Sequence, residues 1–141
     1  APAVLVSGCH YVDCHYLDAN RNTTRRMDGL WDGLEKAGLR PGRLMLEWCS
    51  AAEGARWQNT MVEAEKRRQS VSSDELAQTQ TALAGVKTPS PRTSRPGDEN
   101  TDAVFACVRC GHQWRDRYSA NGERICPQCR SNSVRWLKGK A

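Results

Sequence analysis

Four cysteines near the C-terminus constrain the fold of this chain more than any other feature. Cys107 and Cys110 form one CxxC pair, Cys126 and Cys129 form a second, and fifteen residues separate the pairs. Two such knuckles supply four thiolates to one tetrahedral ion, and a segment of about 40 residues needs such an ion to compensate for its small core. The spacing therefore predicts a structural zinc ribbon. Because four thiolates close the coordination sphere, we do not expect catalysis at this metal.

The net positive charge of the chain is concentrated in the same segment. Residues 101–141 carry eight Lys and Arg side chains against three Asp and Glu, which accounts for the formal charge of +5. Trp114, Tyr118 and Trp136 interleave with five of the arginines, a pattern compatible with nucleic-acid binding. These arginines are Arg109, Arg115, Arg117, Arg130 and Arg135. A stabilising or protein-docking module can carry the same charges, so nucleic-acid binding is the less favoured hypothesis.

The N-terminal part of the chain alternates between strand and helix patterns. The apolar run over residues 3–6 predicts a strand of the kind that is buried on both faces of a parallel sheet, and residues 43–48 predict a second strand. Between them lies the i, i+3, i+4, i+7 pattern of one helix face. Its apolar residues are Met27, Leu30, Trp31 and Leu34, with Asn22 or Thr23 as the predicted cap and Gly38 and Pro41 as the predicted end. The order predicts a parallel βαβ unit.

A second helix is predicted after the second strand. Ser50 and Glu53 fit the S-x-x-E capping box, and Trp57, Met61 and Ala64 give the helix an apolar stripe. A further helix with fewer apolar residues is predicted over roughly residues 74–83.

Residues 85–103 differ in composition from both of their flanks. They hold three prolines among many Ser, Thr, Gly and charged residues, and so cannot bury enough apolar surface to fold alone. The sequence thus predicts a mixed α/β chain: a partial parallel βαβ domain over residues 1–84, a linker, and a small zinc ribbon over residues 104–141.

Cysteine usage and hydropathy predict the compartment. The seven cysteines are odd in number and partly arranged in CxxC pairs, which indicates metal binding in a reducing compartment rather than a disulfide framework. No apolar run approaches the roughly 18 residues of a membrane-spanning helix, and no signal-peptide pattern is found. We therefore expect a cytoplasmic protein without a membrane span.

Two further cysteines lie in the loop after the first strand, VSGCHYVDCHY, where Cys9 precedes His10 and Cys14 precedes His15. Loops at the carboxyl edge of a parallel sheet gather ligands and cofactors, so one iron-sulfur cluster could bridge the two thiolates. The alternative is two free cysteines, since cysteine often behaves as a small buried hydrophobe. A zinc site made from all four residues is disfavoured, because adjacent side chains in an extended loop point opposite ways.

Three more residues are expected near this pair. His10 and His15 either donate hydrogen bonds or charge beside a cluster or are ordinary surface residues. Cys49 directly follows the second strand and is expected at the same sheet edge. It is either a third ligand or a packed free thiol, and the packed thiol is favoured.

The stretches GCHYVDCHYLDANRNTTRR and RPGRLMLEWCSAAEGARWQNTM resemble the C-terminal half of the delta subunit of methyl-viologen-reducing hydrogenase. In that family of small iron-sulfur subunits, GCH-x-x-DCHY, N-x-x-x-x-RR and EW-x-SA-x-EG recur in this order. The resemblance covers roughly residues 1–65. It implies a [2Fe-2S] protein in which Cys9 and Cys14 are cluster ligands or immediate neighbours of the cluster. Cys49 occupies a variable position of the motif and is not implied as a ligand.

The resemblance also implies a function and partners. Such subunits relay electrons to the flavin-containing subunit of an anaerobic heterodisulfide-reductase-like complex with other iron-sulfur subunits, often during flavin-based electron bifurcation. The chain itself is then a non-catalytic carrier. Two cysteines cannot complete a four-thiolate cluster, and the family's N-terminal half with its own cysteines is not found here. We expect either that a separate chain supplies that half or that this sequence is a fragment.

Two other hypotheses compete with the electron carrier. A zinc-ribbon module for nucleic-acid binding or protein docking, without a redox role, explains the localised charge but leaves Cys9 and Cys14 unexplained. An enzyme with one of these cysteines as nucleophile lacks an obvious base and orienting residue beyond the adjacent histidines.

Overall fold

The computed structural model describes residues 1–84, 101–119 and 122–137, within which the chain forms two small sheets and three helices. The predicted linker lies outside the described residues up to residue 100. The mixed α/β fold, with its parallel βαβ unit and a small cysteine-bearing module, is confirmed. The strands are β1 (Val4–Gly8), β2 (Leu44–Trp48), β3 (Asp102–Cys107), β4 (Gln113–Arg117) and β5 (Val134–Trp136), and the helices are α1 (Ala19–Lys36), α2 (Gly54–Gln69) and α3 (Ser73–Leu83). Strands β1 and β2 are parallel, whereas the second sheet is antiparallel in the order β4-β3-β5.

Strand β2 forms the centre of the first core. Its Leu46 and Trp48 are buried together with Met27 and Trp31 of α1. The indole N–H of Trp31 donates to the carbonyl of Leu44 at 2.8 Å, which fixes the helix on the strand. The helix face predicted from the apolar spacing therefore faces the core.

Helix α1 begins one turn earlier than its predicted cap at Asn22 or Thr23. The N–H of Asn22 donates to the carbonyl of Asp18 at 2.9 Å, so residues before the predicted cap already belong to the helical hydrogen-bond pattern. The end agrees with the prediction, since Gly38 adopts a φ of +73°, a left-handed conformation that glycine accepts without strain.

Strand β1 is less buried than its apolar sequence predicts. Val4 is 45% exposed, and Ser7 is exposed as well. Among the described residues, β1 has β2 as its only strand neighbour. The expectation of a strand buried on both faces is thus wrong for β1, because no other described strand lies beside it.

Helix α2 also departs from the sequence-based expectation. It begins at Gly54, and the hydroxyl of Ser50 does not cap it, although the carboxylate of Glu53 accepts from the Ser50 N–H at 2.8 Å. Thr60 is the buried position of the helix, while Trp57 and Met61 remain 41% and 46% exposed. The predicted apolar stripe exists, but the described residues do not cover it.

The cysteine-bearing module (residues 101–119 and 122–137) covers the other edge of β2. The Ser133 hydroxyl accepts from the Leu46 N–H at 2.9 Å and donates to the Leu46 carbonyl at 3.0 Å. The side-chain oxygen of Asn132 accepts from the Trp48 N–H at 3.1 Å. Because buried backbone groups need partners, these side chains take the place of a neighbouring strand.

Ion pairs join the module to the βαβ unit. Most of the arginines in these ion pairs belong to the group that suggested nucleic-acid binding. Two of the three aromatic residues of that pattern, Tyr118 and Trp136, are buried in the module's core. The pairs are Arg109 with Glu47, Arg124 with Asp28, and Arg135 with Asp32 and Glu35. In the described parts of the chain, no helix is long and apolar enough to cross a membrane.

Candidate functional site

The four thiols of the module converge on one point. The sulfur atoms of Cys107, Cys110, Cys126 and Cys129 all lie within 4.8 Å of one another. The Cys107–Cys129 and Cys110–Cys126 sulfur distances are 3.6 and 3.7 Å. A tetrahedral ion with metal–sulfur bonds of about 2.3 Å needs sulfur separations of about 3.8 Å. The four side chains therefore fit a single tetrahedral ion such as zinc.

The electrostatics of this group also favour a cation. Burial raises the pKa of the thiols of Cys107 and Cys129. Burial opposes ionisation of Cys110 too, but the N–H of His112 and the neighbouring thiols lower its pKa. Four thiolates cannot coexist in this space unless a bound cation balances them. The turn of the first knuckle places Gly111 at a φ of +79°, where a side chain would be strained.

Cys9 and Cys14 lie beside each other after the end of β1. A short 3-10 turn, Tyr11–Asp13, separates them along the chain. Burial raises the pKa of the Cys9 thiol, and the neighbouring Cys14 raises it further. The loop therefore presents two adjacent thiols at the carboxyl edge of the parallel sheet.

Cys49 lies at the same sheet edge but does not join that pair. Its N–H donates to the Gly8 carbonyl at 2.8 Å, and its thiol lies 3.5 Å from the carbonyls of Ser50 and Glu53. Burial raises the pKa of this thiol. Within the described residues, the four cysteines of the module are the only group of three or more potential metal-ligating side chains that converges. Cys49 is thus a partly buried thiol that contacts backbone carbonyls.

His10 connects the cysteine loop to the four-cysteine module. Its Nε2 lies 2.7 Å from Glu53 and its Nδ1 lies 2.8 Å from Glu123. Burial opposes a charged ring, but the hydrogen bonds to these carboxylates outweigh it and raise the pKa of His10. The Ser50 N–H and His10 lower the pKa of Glu53 to about 2. His15, by contrast, is exposed and contacts the ring of Tyr16.

Asn20 is a loop-supporting residue that the sequence patterns did not single out. Its side chain is buried, and its amide nitrogen donates to the carbonyls of Cys9 at 2.8 Å and His10 at 3.2 Å. The same nitrogen lies 4.0 Å from the Cys9 sulfur. Its amide oxygen has no hydrogen-bond partner among the described residues. Asn20 is the first residue of the N-x-x-x-x-RR stretch, and this motif could have identified it as a residue near the cysteine loop.

Glu123 and Asn132 were missed as well. Glu123 is 113 positions from His10 in the sequence, so no local pattern connects the two residues. The contact exists only because the module packs against the βαβ unit.

Comparison with known proteins concerns the N-terminal unit. The family described as FlpD, methyl-viologen-reducing hydrogenase, delta subunit, matches residues 1–71. A subunit of the ferredoxin:CoB-CoM heterodisulfide reductase of Methanosarcina mazei is 42% identical over 71 residues, covering 50% of this chain and 9% of that protein. An iron-sulfur subunit of the F420-non-reducing hydrogenase of Archaeoglobus profundus is 41% identical over 63 residues, covering 45% of this chain and 46% of that protein.

A third relative shows the same partial overlap. An iron-sulfur subunit of the F420-non-reducing hydrogenase vhc of Methanococcus voltae is 43% identical over 61 residues, or 43% of this chain and 42% of that protein. The chain thus spans less than half the length of each of these three relatives. No solved structure matches the chain at a significant level.

Proposed function

Because the chain belongs to the family of the methyl-viologen-reducing hydrogenase delta subunit, we propose that it is a non-catalytic electron-transfer subunit of an oxidoreductase complex. Its cysteine loop contributes ligands to an iron-sulfur cluster, which we assign as [2Fe-2S]. The observation that carries this proposal is the pair of adjacent thiols, Cys9 and Cys14, at the carboxyl edge of a parallel sheet. Two relatives are themselves named iron-sulfur subunits.

The residues present fit a shared cluster. Such clusters take four ligands, and the loop offers two thiols. Cys49 is engaged with backbone carbonyls beside the pair. The buried amide oxygen of Asn20, without a partner among the described residues, fits a site whose further groups come from outside them. We therefore propose that another polypeptide supplies the remaining ligands.

The chain's own residues hold the loop in place. When bound, the cluster supplies one-electron transfer. Asn20 binds the backbone carbonyls of Cys9 and His10, and the carboxylates of Glu53 and Glu123 hold the His10 ring from both sides. These bonds restrict the backbone next to Cys9, which keeps a ligand in one position while the charge of the cluster changes.

We propose that the partner is the flavin-containing subunit of a heterodisulfide-reductase-like complex. In Methanosarcina mazei the matching segment belongs to a heterodisulfide reductase subunit of which this chain spans 9%, so a similar domain is covalently joined to the rest of that protein there. We propose that the present chain makes an equivalent association within a cytoplasmic, anaerobic complex that holds further iron-sulfur subunits and bifurcates electrons.

The edge of β1 beside which no described strand lies is the proposed attachment point for the polypeptide that completes the site. Val4, Met45 and Met61 line a mostly apolar depression between β1, β2 and α2, with Glu65 and Arg68 at its side. Trp57 is exposed on the same helix as Met61. The hydrogenase iron-sulfur subunit of Archaeoglobus profundus has more than half its length outside the match. We propose that a segment of that kind, from a partner subunit, pairs with β1 and covers the depression.

For the four-cysteine module we propose bound zinc and a docking role. Arg109, Arg124 and Arg135 pair with carboxylates of the βαβ unit, which leaves fewer of the module's charges for an anionic partner. Tyr118 and Trp136 are buried and so are not available for base stacking. Both observations favour protein docking over nucleic-acid binding.

Metal and sulfide analysis after anaerobic purification with co-purifying subunits tests this proposal. We expect one zinc per chain, together with at least two iron atoms and two sulfides, to which the clusters of co-purifying iron-sulfur subunits add. One zinc without iron, in a preparation that retains its partner subunits, would contradict the electron-carrier assignment.

A further inference from the structure

The carboxylate of Glu123 reaches from the four-cysteine module into the cysteine loop. One oxygen lies 2.8 Å from the Nδ1 of His10, and the other accepts from the Tyr11 N–H at 3.2 Å. The side chains of His10 and Glu123 are only 20% and 15% exposed. The two residues that directly follow Cys9 are therefore both bound by one side chain of the module.

Glu123 is itself positioned by Asn132. The side-chain nitrogen of Asn132 donates to Glu123 at 3.0 Å and to the carbonyl of Arg124 at 2.9 Å. Asn132 is 1% exposed, and its side-chain oxygen accepts from the Trp48 N–H at 3.1 Å. All of these groups are buried or partly buried and mutually bonded, so displacement of one leaves others without partners.

The second knuckle holds Asn132 in turn. The N–H of Cys126 donates to the Ser131 carbonyl at 2.9 Å, and the N–H of Arg130 donates to the Cys126 carbonyl at 3.0 Å. This turn places Ser131 beside the backbone of Cys126, and Asn132 follows Ser131 in the sequence. Small four-thiolate modules fold with their metal and lose structure when it is removed. A continuous set of contacts thus runs from the metal-binding thiols to the backbone beside Cys9.

We propose that the module controls the cysteine loop in cis, with Glu123 as the positioning residue, so that metal bound at Cys107, Cys110, Cys126 and Cys129 fixes the conformation of the loop that contains Cys9. Loss of this metal releases Tyr11 and His10 to a greater extent than it destabilises α1. That the loop carries a cluster rests on the proposed function above, whereas the coupling between module and loop does not require iron. The matching family region ends at residue 71, so the coupling is a feature of the added module.

Hydrogen exchange of the Tyr11 amide in the full zinc-loaded chain tests the proposal. The variants are Glu123→Ala and Glu123→Gln, and the control is Asp116→Asn, which removes the same charge from an exposed carboxylate on β4. We expect Glu123→Ala to retain zinc and to accelerate exchange at Tyr11 by about tenfold or more, because a charge-assisted hydrogen bond is lost. Glu123→Gln should restore part of the protection, and Asp116→Asn should match the wild type.

The His10 ring gives a second signal that general destabilisation would not reproduce. Nuclear magnetic resonance should show protected ring N–H protons in the wild type, and the proton on Nδ1 should lose protection in Glu123→Ala. Unchanged Tyr11 exchange and ring signals in zinc-loaded Glu123→Ala would overturn the proposal.

If Glu123→Ala fails to fold, removal of zinc from the wild-type chain with a chelator provides an alternative test of the coupling. A larger increase of exchange at Tyr11 than at Met27 and Trp31 of α1 supports the coupling, whereas an equal increase at all three amides contradicts it. Because these readouts need no iron, absence of iron would count against the proposed function and not against the coupling.

Discussion

Arg124 of the four-cysteine module places its Nη1 2.9 Å from both carboxylate oxygens of Asp28 on α1. The two side chains are 10% and 1% exposed. Asp28 also accepts from the N–H of Trp136 at 3.1 Å, so one buried carboxylate contacts two parts of the module. The module and the βαβ unit therefore share a charged contact whose partners are 96 residues apart in the sequence.

Removal of Arg124 should destabilise the whole chain. Arg124→Met leaves Asp28 buried without its cation, and the expected loss in the free energy of unfolding is about 3 kcal/mol. Urea denaturation provides the measurement, with the exposed Arg115→Met as a control that should change stability by no more than about 0.5 kcal/mol. A loss for Arg124→Met as small as that of the control would show that this pair does not hold the two units together.

Acid should weaken the attachment of α3. The guanidinium of Arg40 contacts both oxygens of Glu75 at 2.8 Å and lowers the pKa of that carboxyl below its ordinary value of 4.5. A carboxyl whose pKa is lower in the folded state stabilises the fold above its unfolded pKa, and this stabilisation is lost as pH falls through the folded pKa. Glu75→Gln should therefore lower the free energy of unfolding by up to about 1 kcal/mol at pH 7, and by progressively less below pH 4.5. The measurement is the urea midpoint of the wild type and of Glu75→Gln across this pH range. A loss of stability that does not depend on pH would show that the ionised Arg40–Glu75 pair is not its cause.

Local patterns were sufficient for the parallel strand pair and for the convergence of the four cysteines. Alternating strand and helix patterns predicted the parallel pair, and the CxxC spacing predicted the convergence of Cys107 with Cys129 and of Cys110 with Cys126. In both cases the physical constraint acts over short stretches of sequence, through side-chain periodicity or through the reach of a metal-binding turn.

Contacts between the two units could not be predicted in the same way. The hydrogen bond of Glu123 to His10 joins residues 113 positions apart, and that of Ser133 to Leu46 joins residues 87 positions apart. No sequence motif includes both partners of either bond. The exposure of Trp57 and Met61 was also missed, because an apolar stripe indicates a face to be covered and does not say whether the same chain covers it.

Metal exchange should identify the coordination of the four-cysteine module. Replacement of zinc by Co²⁺ should give the intense visible and near-ultraviolet absorption of a tetrahedral four-thiolate site, since all four sulfur atoms lie within 4.8 Å of one another. Cys126→Ser should lose this spectrum, while Cys49→Ser should keep it because Cys49 lies outside the group. A spectrum retained by Cys126→Ser would exclude the four-thiolate site.

A charge in the apolar depression beside β1 should prevent partner binding. Met61 lines the depression with Val4, whereas its neighbour Val62 is exposed on α2 and is not among the lining residues. Met61→Glu should reduce recovery of partner subunits in affinity purification, and Val62→Glu should leave it near the wild-type level. Because both positions are exposed, neither change should unfold the chain. Equal recovery with the two variants would place the partner elsewhere.

The electron paramagnetic resonance spectrum of the dithionite-reduced complex tests the central claim most directly, with wild type, Cys14→Ser and Cys49→Ser purified anaerobically in parallel. Cys49 is the matched control, since its thiol lies at the same sheet edge but contacts the carbonyls of Ser50 and Glu53. We predict that the reduced spectrum contains one iron-sulfur signal, beside those of the other subunits, that Cys14→Ser weakens strongly and Cys49→Ser leaves close to wild type. A wild-type complex without such a signal, or a signal equally strong in Cys14→Ser, would contradict the claim that this loop holds an electron-carrying cluster.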